Sequence, residues 1–274
     1  MPELPEVEIA RENLARWLGN RVIESARVRD RRILRGQSAR HVERVLGGAR
    51  LLEIRRRGKY LMWNLGSRGE VLAHLGMTGK FVFRTPAEPD PPATCILLEL
   101  GGGRRVAFSD TRRFGRFQVA GRDTEKTLAR LGIDALDPLL TAPRLGDQLR
   151  TSRLPIKTFL MDQHRIAGLG NIQAAEALFE AGIHPVRPAR SLRSEEVVKL
   201  HRAIRHSLRV ALRRERADEI RYLHEKDAEN RFLIYGRAGE PCVRCRARVR
   251  KIVQGGRSTY YCARCQPRRA RKKS

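Results

Sequence analysis

The chain has 274 residues, 41% of them apolar, which is enough to bury a core and excludes wholesale disorder. Its 57 Lys and Arg residues outnumber its 30 Asp and Glu residues, and the formal net charge of +27 indicates a polyanionic partner. Nucleic acid is the first candidate for this partner, and an anionic membrane surface is the rival. Because the sequence has no apolar run that could span a bilayer and no secretory signal, we expect a cytoplasmic protein.

The first half of the chain opens with a helix and continues as strands. Apolar periodicity predicts a helix over residues 5–18, with Pro5 in its first turn and Gly19 at its end. Four segments up to about residue 120 then have the pattern of strands or hairpins: RLLEIRRRGKYLMWNL, VLAHLGMTGKFVF, CILLELGGGRRVAF and RFGRFQVA. This succession of short strands predicts a sandwich or a barrel.

Helices predominate from about residue 125. Short helices are predicted in EKTLARLGI, over residues 143–152 and in PIKTFLMDQ, and a further helix in NIQAAEALFEAG. Ser194 is predicted to cap a long helix. The apolar stripe of that helix consists of Val197, Leu200, Ile204, Leu208 and Ala211. The final residues, QPRRARKKS, are strongly basic and predict a mobile tail.

Four of the five cysteines lie near the C-terminus with a spacing typical of a zinc site. Each CxxC turn brings two sulfurs to one side of an ion, and the segment between the pairs can form a hairpin at Gly255-Gly256. The predicted ligands of one structural zinc are Cys242, Cys245, Cys262 and Cys265. A redox dithiol pair is the alternative, but no thioredoxin-like context surrounds the motif. Cys95 lies in an apolar run and is predicted to be a buried, inert thiol.

Basic glycine turns add to the case for nucleic acid. RRRGKY, DTRRFGR and GGRSTYY each place Arg or Lys beside a turn and an aromatic residue, which suits phosphate neutralisation next to a stacking side chain. GLGN precedes a predicted helix, whose first amides could bind an anion. Each motif taken alone also fits an ordinary solvated turn.

The first residues, MPELPEVE, allow two interpretations. Proline and carboxylates suit the start of a helix without any further function. Alternatively, removal of Met1 exposes the secondary amine of Pro2, with Glu3 and Glu6 beside it for proton transfer.

Taken together, MPELPEVE, RRGKYL, HLGMTG, DTRRFG, GLGNIQAAE, YGRAGEPC and the cysteine module resemble the formamidopyrimidine-DNA glycosylase family, which is related to the endonuclease VIII group. The resemblance covers nearly the whole chain. It implies a bifunctional DNA glycosylase and AP lyase of base excision repair, in which the Pro2 amine attacks C1′ of a damaged nucleotide, forms a Schiff base and cuts the strand by β,δ-elimination. Glu3 would transfer protons at the sugar ring oxygen, and Glu6 would support the amine.

The same resemblance implies a set of DNA contacts. Lys59 is counted with the catalytic residues, and it would grip the phosphates around a flipped-out nucleotide together with His74, Asn171 and Arg257. The residues that would fill the void left in the duplex are Met77, Arg112 and Phe114.

The sequence departs from the family pattern in two places. Gln173 stands where a tyrosine is usual. Residues 216–235 contain no glycine, although family members carry there a glycine-rich loop that folds over 8-oxoguanine. The expected preference therefore moves away from 8-oxoguanine, towards oxidised pyrimidines, ring-opened purines or a bulkier adduct.

We therefore expect an α+β fold: a β-sandwich with a catalytic N-terminal helix over residues 1–125, a helix–two-turn–helix DNA-binding domain over 126–235, a zinc ribbon over 236–267 and a basic tail over 268–274. The expected partner of this monomer is double-stranded DNA with damaged bases or abasic sites, at the nucleoid in a bacterial cytoplasm and away from membranes. A non-catalytic zinc-ribbon protein that binds damaged DNA is the alternative. A ribosomal or RNA partner would fit the charge but not the N-terminus.

Overall fold

The computed structural model describes residues 2–217, 219–220, 222 and 229–268. The chain divides into two compact units. The first comprises Met1–Arg130 and Leu212–Ala228, and the second comprises Leu131–Ala211 and Glu229–Ser274. The domain boundaries drawn from the sequence stay predictions. Residues 269–274 of the predicted tail, and residues 218, 221 and 223–228 of the glycine-free segment, lie outside the described residues.

The first unit contains two four-stranded antiparallel sheets, with strand orders β1-β6-β7-β5 and β2-β3-β4-β8. Its elements are α1 (Leu4–Leu18), β1 (Ile23–Val28), α2 (Ala39–Leu46), β2 (Glu53–Arg57), β3 (Tyr60–Asn64), β4 (Glu70–His74), β5 (Lys80–Arg84), β6 (Thr94–Leu100), β7 (Arg104–Ser109), β8 (Arg116–Val119) and α3 (Arg122–Ala129). The predicted strand segments are confirmed.

Aromatic side chains join the two sheets into the predicted sandwich. The ring centres of Trp63 on β3 and Phe81 on β5 are 5.5 Å apart, and those of Phe108 on β7 and Phe117 on β8 are 6.4 Å apart. All four residues are almost completely buried. Full burial of one phenylalanine contributes about 1.5–3 kcal/mol to folding, so this cluster is a main support of the unit.

Helix α1 packs against this core as the sequence predicts. Pro5 lies in its first turn and Gly19 follows its last residue. Val7 and Leu14 are fully buried, and Trp17 stacks on Phe83 of β5 with ring centres 5.8 Å apart. This packing fixes the helix about its own axis, and with it the position of the N-terminal residues.

Helix α2 was not predicted, because the strand patterns around it made the whole stretch from the first helix to about residue 120 look β-rich. A helix signal is nevertheless present. The Ser38 hydroxyl accepts the N–H of His41 at 3.2 Å, as an N-cap does. Val42 and Leu46, four residues apart, are both buried on one face.

The second unit is mainly helical and ends in a zinc hairpin. Its elements are β9 (Ile133–Asp134), α4 (Ala142–Arg150), α5 (Ile156–Met161), β10 (Ile166–Ala167), α6 (Asn171–Glu180), the larger part of α7 (Ser194–Glu215), β11 (Arg250–Gln254) and β12 (Arg257–Tyr261). The other predicted helices and the apolar stripe of α7 are confirmed. The helix predicted in EKTLARLGI is α3 of the first unit, which ends at Ala129, so that Ile133 lies in β9 instead. Within the described part of the chain, no helix combines the length and apolar character that crossing a membrane requires.

The start of α7 differs from the prediction. Ser194 is the first helical residue and not the cap. Glu196 accepts the N–H of Arg193 at 2.9 Å and pairs with the guanidinium of Arg187 at 2.6 Å. A carboxylate in the first turn is favoured by the helix dipole, so Glu196 takes over the role that the serine hydroxyl was expected to have.

Candidate active site and zinc centre

The first turn of α1 brings the predicted nucleophile and two carboxyl groups together. Pro2 is buried, and Glu3 and Glu6 are only 1% and 7% exposed. The N–H of Glu3 donates to Oε2 of Glu6 at 2.8 Å, which ties these residues across the turn. The carboxyl of Glu6 thus serves the helix start, and it does so directly beside the predicted amine.

Glu6 also contacts a second carboxyl group that the sequence did not indicate. Glu215, at the end of α7, shares a side-chain hydrogen bond with Glu6. Burial first, and repulsion from Glu215 second, raise the pKa of Glu6 from 4.5 to about 8. Glu6 therefore carries a proton at neutral pH. Arg214 lies beside Glu215, with its Nη2 at 3.1 Å from Oε1.

Lys59 and His74 lie close together because β3 pairs with β4, which places Tyr60 opposite His74. Burial, followed by the positive charges of Lys59 and Arg116, lowers the pKa of His74 from 6.5 to about 4. Its Nδ1 accepts the N–H of Gly76 at 3.0 Å, so the neutral ring carries its proton on Nε2. A neutral N–H donor beside an ammonium group suits a phosphate oxygen.

The loops that carry Met77 and Phe114 are packed directly on each other. A Cβ atom at Gly76 would lie 2.5 Å from backbone atoms of Phe114 and Gly115, and Gly76 has a φ of +66°, so only glycine allows this approach. Phe114 is 49% exposed, and the Arg112 guanidinium lies 4.9 Å from the centre of its ring. The three predicted void-filling residues thus belong to one surface feature.

Asp110 holds these two loops in place. It is fully buried. Its Oδ1 accepts the Thr78 hydroxyl at 2.5 Å and the N–H of Arg112 at 3.1 Å, and its Oδ2 accepts the N–H of Gly115 at 2.7 Å. In the sequence, Asp110 stands out only as part of the DTRRFG motif. Its position directly after an apolar strand is the signal that could have singled it out.

In the second unit, a buried lysine connects Asn171 to the zinc hairpin. Lys157 is 1% exposed. Its Nζ donates to Oδ1 of Asn171 at 2.5 Å, to the Thr259 hydroxyl at 2.7 Å and to the carbonyl of Ser258 at 3.1 Å. Arg257, exposed at the start of β12, directly precedes these hairpin residues. Lys157 therefore fixes the relative placement of two predicted phosphate contacts, and the sequence analysis missed it.

Two further polar residues of α6 are buried. Both oxygens of Glu176 accept backbone N–H groups, from Leu233 at 2.8 Å and from Ile234 and Tyr235 at 2.9 Å. Gln173, which stands where the family usually has tyrosine, accepts the Ser207 hydroxyl at 3.2 Å. Gln173 thus contributes to packing between α6 and α7. A charged or polar residue among the alanines of a predicted helix is the signal for both.

The four predicted zinc ligands form one cluster. The Sγ atoms of Cys242, Cys245, Cys262 and Cys265 all lie within 4.8 Å of one another. The Sγ–Sγ distances are 3.9 Å for Cys242–Cys265 and 3.5 Å for Cys245–Cys262. A tetrahedral site with Zn–S bonds of about 2.3 Å has edges of about 3.8 Å, so the cluster fits one zinc ion.

The hairpin between the two cysteine pairs turns where predicted. Gly255 and Gly256 both have positive φ, 53° and 71°, and join β11 to β12.

Cys95 is buried in β6, and burial raises the pKa of its thiol to about 11. It belongs to the first unit and has the character of the inert thiol that was predicted.

Three family models match successive parts of the chain. They are the formamidopyrimidine-DNA glycosylase N-terminal domain over residues 1–117, the formamidopyrimidine-DNA glycosylase H2TH domain over residues 131–221, and the zinc finger found in FPG and IleRS over residues 239–268.

Curated relatives and solved structures agree with these models. The chain is 36% identical to formamidopyrimidine-DNA glycosylase of Chloroflexus aurantiacus, over 97% of this chain and 98% of the relative, and 38% identical to that of Cereibacter sphaeroides, over 97% and 100%. Among solved structures, a complex of Lactococcus lactis Fpg with abasic-site DNA matches with a TM-score of 0.86 and 27% identity, over 97% and 99% of the two chains. A Lactococcus lactis Fpg complex with N7-benzyl-Fapy-dG DNA matches with a TM-score of 0.86 and 28% identity, over 97% and 100%. The chain therefore belongs to the formamidopyrimidine-DNA glycosylase family and is a base-excision-repair glycosylase that is also an AP lyase.

Proposed function

We propose that Pro2, exposed by removal of Met1, is the nucleophile of this glycosylase. A proline N-terminus is a secondary amine with a rigid ring, and because α-amino pKa values lie near 8, a useful fraction is neutral at physiological pH. The observation that carries the proposal is the buried first turn, where Glu3 follows the amine and its N–H donates to Glu6 at 2.8 Å.

The proposed reaction forms and breaks bonds at C1′ of the damaged nucleotide. The amine lone pair bonds to C1′, the bond from C1′ to the base breaks, and the base leaves with the proton that the amine nitrogen loses. Glu3 gives a proton to the sugar ring oxygen, the ring opens, and an iminium remains on Pro2. The iminium acidifies the 2′-hydrogen. Loss of that proton expels the 3′-phosphate, a second elimination expels the 5′-phosphate, and water then releases Pro2.

Positive and neutral donors would hold the phosphates on either side of the nucleotide. Lys59 offers an amino group and His74 an Nε2–H, and the His74 ring stays neutral across physiological pH because its pKa is lowered. Asn171 and Arg257 are the corresponding candidates in the second unit. In this proposal Lys157 and the zinc do not touch DNA but position those two side chains.

Met77, Arg112 and Phe114 are proposed to occupy the space that the flipped-out nucleotide leaves. A half-exposed phenylalanine can wedge between bases, and methionine adapts to an irregular gap. Arg112 offers donors to the orphaned partner base. The support is the shared placement of these residues on two loops that Asp110 holds together.

The proposed substrate is double-stranded DNA with damaged bases or abasic sites, and the proposed place of action is nucleoid DNA in a bacterial cytoplasm. The solved relatives from Lactococcus lactis were captured on abasic and damaged-base DNA, and both curated relatives quoted above are bacterial.

The products of abasic-site cleavage test the function. β,δ-elimination leaves a one-nucleotide gap with a phosphate at both ends, which gel mobility distinguishes from simple hydrolysis. A Glu3→Gln variant should excise bases about 10²–10⁴-fold more slowly, the range typical of a lost general acid. A protein that binds abasic DNA tightly but leaves both strands intact would instead support the non-catalytic binder.

A further inference from the structure

The mechanism leaves Glu215 without a role, although it contacts Glu6, whose carboxyl group accepts the N–H of Glu3 next to the proposed nucleophile. Glu6 and Glu215 share a side-chain hydrogen bond, and Glu6 is 7% exposed. Two carboxyl groups can form such a bond only if one of them carries a proton. The proton lies on Glu6, because Glu6 is the more deeply buried partner: it is 7% exposed, whereas the Glu215 side chain is 21% exposed.

The shared proton matters because Glu6 lies close to the amine of Pro2. Only the Cα and the carbonyl carbon separate the Pro2 nitrogen from the Glu3 nitrogen, and that second nitrogen donates to Glu6 Oε2 at 2.8 Å. Covalent geometry therefore keeps Oε2 within about 7 Å of the amine. An ionised Glu6 at this distance would stabilise the ammonium form of Pro2, which has no lone pair for attack.

We propose that Glu215 is a positioning residue for base excision: by sharing its hydrogen bond it keeps Glu6 protonated, and so keeps the Pro2 amine neutral and nucleophilic near pH 7. This inference rests on the proposed role of Pro2 as nucleophile. In this proposal Glu215 acts through Glu6 and not on the substrate, and Arg214 holds the Glu215 side chain in place at 3.1 Å. This role of Glu215 also agrees with the raised pKa of Glu6.

Several other charged groups on the elements around Glu6 form ion pairs of their own. Glu8 of α1 pairs with Arg11 and with Arg56 of β2, both at 2.7 Å. On β5, Lys80 and Arg84 lie at 2.8 Å and 3.7 Å from Glu219. Removal of the Glu215 carboxylate therefore acts on the Glu6 carboxyl and on Arg214. Removal of Glu219, a carboxylate that also pairs with basic side chains, serves as the matched control.

The test is the pH dependence of single-turnover borohydride trapping on an abasic duplex. In Glu215→Gln, Glu6 should ionise at lower pH, so the Pro2 ammonium is stabilised and the acid limb of the profile moves up by about one pH unit, the size of shift expected from one nearby charge. Trapping at pH 9 should stay within twofold of the wild type. Glu219→Gln should leave the limb in place.

Three outcomes are distinguishable. A Glu215→Gln profile with a lower plateau but an unmoved midpoint indicates a merely structural role. It overturns the positioning role of Glu215 but leaves Pro2 as the proposed nucleophile. Absence of trapping in the wild type at every pH overturns the proposed nucleophile itself. If Glu215→Gln does not fold, carbon-13 NMR of glutamate carboxyls in the wild type decides, with the Glu6 signal assigned by Glu6→Gln: an ionised Glu6 at pH 6 contradicts the inference.

Discussion

Glu6 holds a proton in the folded state that the unfolded chain would release at neutral pH. Between its ordinary pKa of 4.5 and about 8, the folded protein binds one more proton at this residue than the unfolded chain does. Stability contributed by Glu6 is therefore complete at low pH and is lost as pH rises through this window. The site thus carries a cost in folding free energy that its chemistry requires.

Glu6→Gln should remove that cost. The amide oxygen can still accept the N–H of Glu3, and the side chain no longer has a charge to suppress. Since one pKa unit corresponds to about 1.4 kcal/mol, we expect the variant to be more stable than the wild type by about 2–4 kcal/mol at pH 8 and equally stable at pH 4. Urea unfolding at the two pH values measures this. A variant that is less stable at pH 8 would contradict the assigned protonation of Glu6.

Lys157→Met should weaken the second unit and DNA binding together. Asn171, Ser258 and Thr259 would lose a shared buried donor, at a cost of about 1–3 kcal/mol. Zinc should stay bound, because Asn171, Ser258 and Thr259 are not among the four predicted zinc ligands. The measurements are urea unfolding, metal content and affinity for abasic DNA at fixed salt. Lys199→Met, at an exposed position of α7, is the control; equal losses in both variants would refute the positioning role.

At this scale the sequence reveals residues that belong to motifs and conceals those that serve them. Pro2, Glu3 and the four cysteines stand in short patterns whose chemistry limits the residue type. Lys157 and Glu215 do not, because their roles depend on partners far away along the chain. The partners of Lys157 lie 14 to 102 positions away, and Glu6, the partner of Glu215, lies 209 positions away. Periodicity indicates which face of a helix is buried, but it does not indicate what that face meets.

Among the elements, the zinc hairpin combines two predicted features. The cysteines close it at one end and the two glycines turn it at the other, and α6 packs against β12 between them. Strand periodicity, cysteine spacing and turn residues agree there, so the sequence predicts the hairpin well. The local signals conflict around residues 20–50. There the strand patterns on both sides of the short helix α2 obscured its N-cap and its apolar face.

Cys262→Ala should lose zinc, disorder the hairpin and with it lose DNA binding, because a module this small depends on the metal for its folding energy. Cys95→Ser should keep one zinc per chain, since Cys95 lies in β6 outside the cluster. Elemental analysis of both purified variants measures this directly. The same zinc content in the two variants would contradict the ligand assignment.

The glycine-free segment after α7 predicts the lesion preference. Two of its described residues are held in the first unit: Ile220 and Tyr222 are buried, and the Tyr222 hydroxyl donates to the carbonyl of Gly79 at 2.6 Å. A chain held in this way and lacking glycine is poorly suited to close over a flipped purine. We propose weak excision of 8-oxoguanine opposite cytosine, compared with ring-opened or oxidised pyrimidine bases, and strong abasic-site cleavage.

Single-turnover kinetics on duplexes that differ only in the lesion measure this preference. The abasic duplex is the internal control, because its cleavage needs no base pocket. If 8-oxoguanine is removed as fast as the best other base, the loop argument is wrong while the nucleophile and the zinc site stand.

For the molecule as a whole, charge and motif order carried most of the functional information. A net charge of +27 on a chain with a zinc ribbon indicates nucleic acid, and the ordered motifs narrow this to one family. The first unit holds the candidates for bond cleavage and void filling, and the second holds the zinc and further phosphate contacts. We propose that these groups hold and orient damaged DNA for attack by the amine of Pro2.

The most direct test is to trap the enzyme on abasic DNA with borohydride and to locate the adduct by mass spectrometry. The account predicts a covalent adduct on the N-terminal peptide that begins with Pro2. It also predicts no adduct in protein that retains Met1, and loss of most base excision in Pro2→Gly. Undiminished trapping in the form that retains Met1, or an adduct on a lysine, would contradict it.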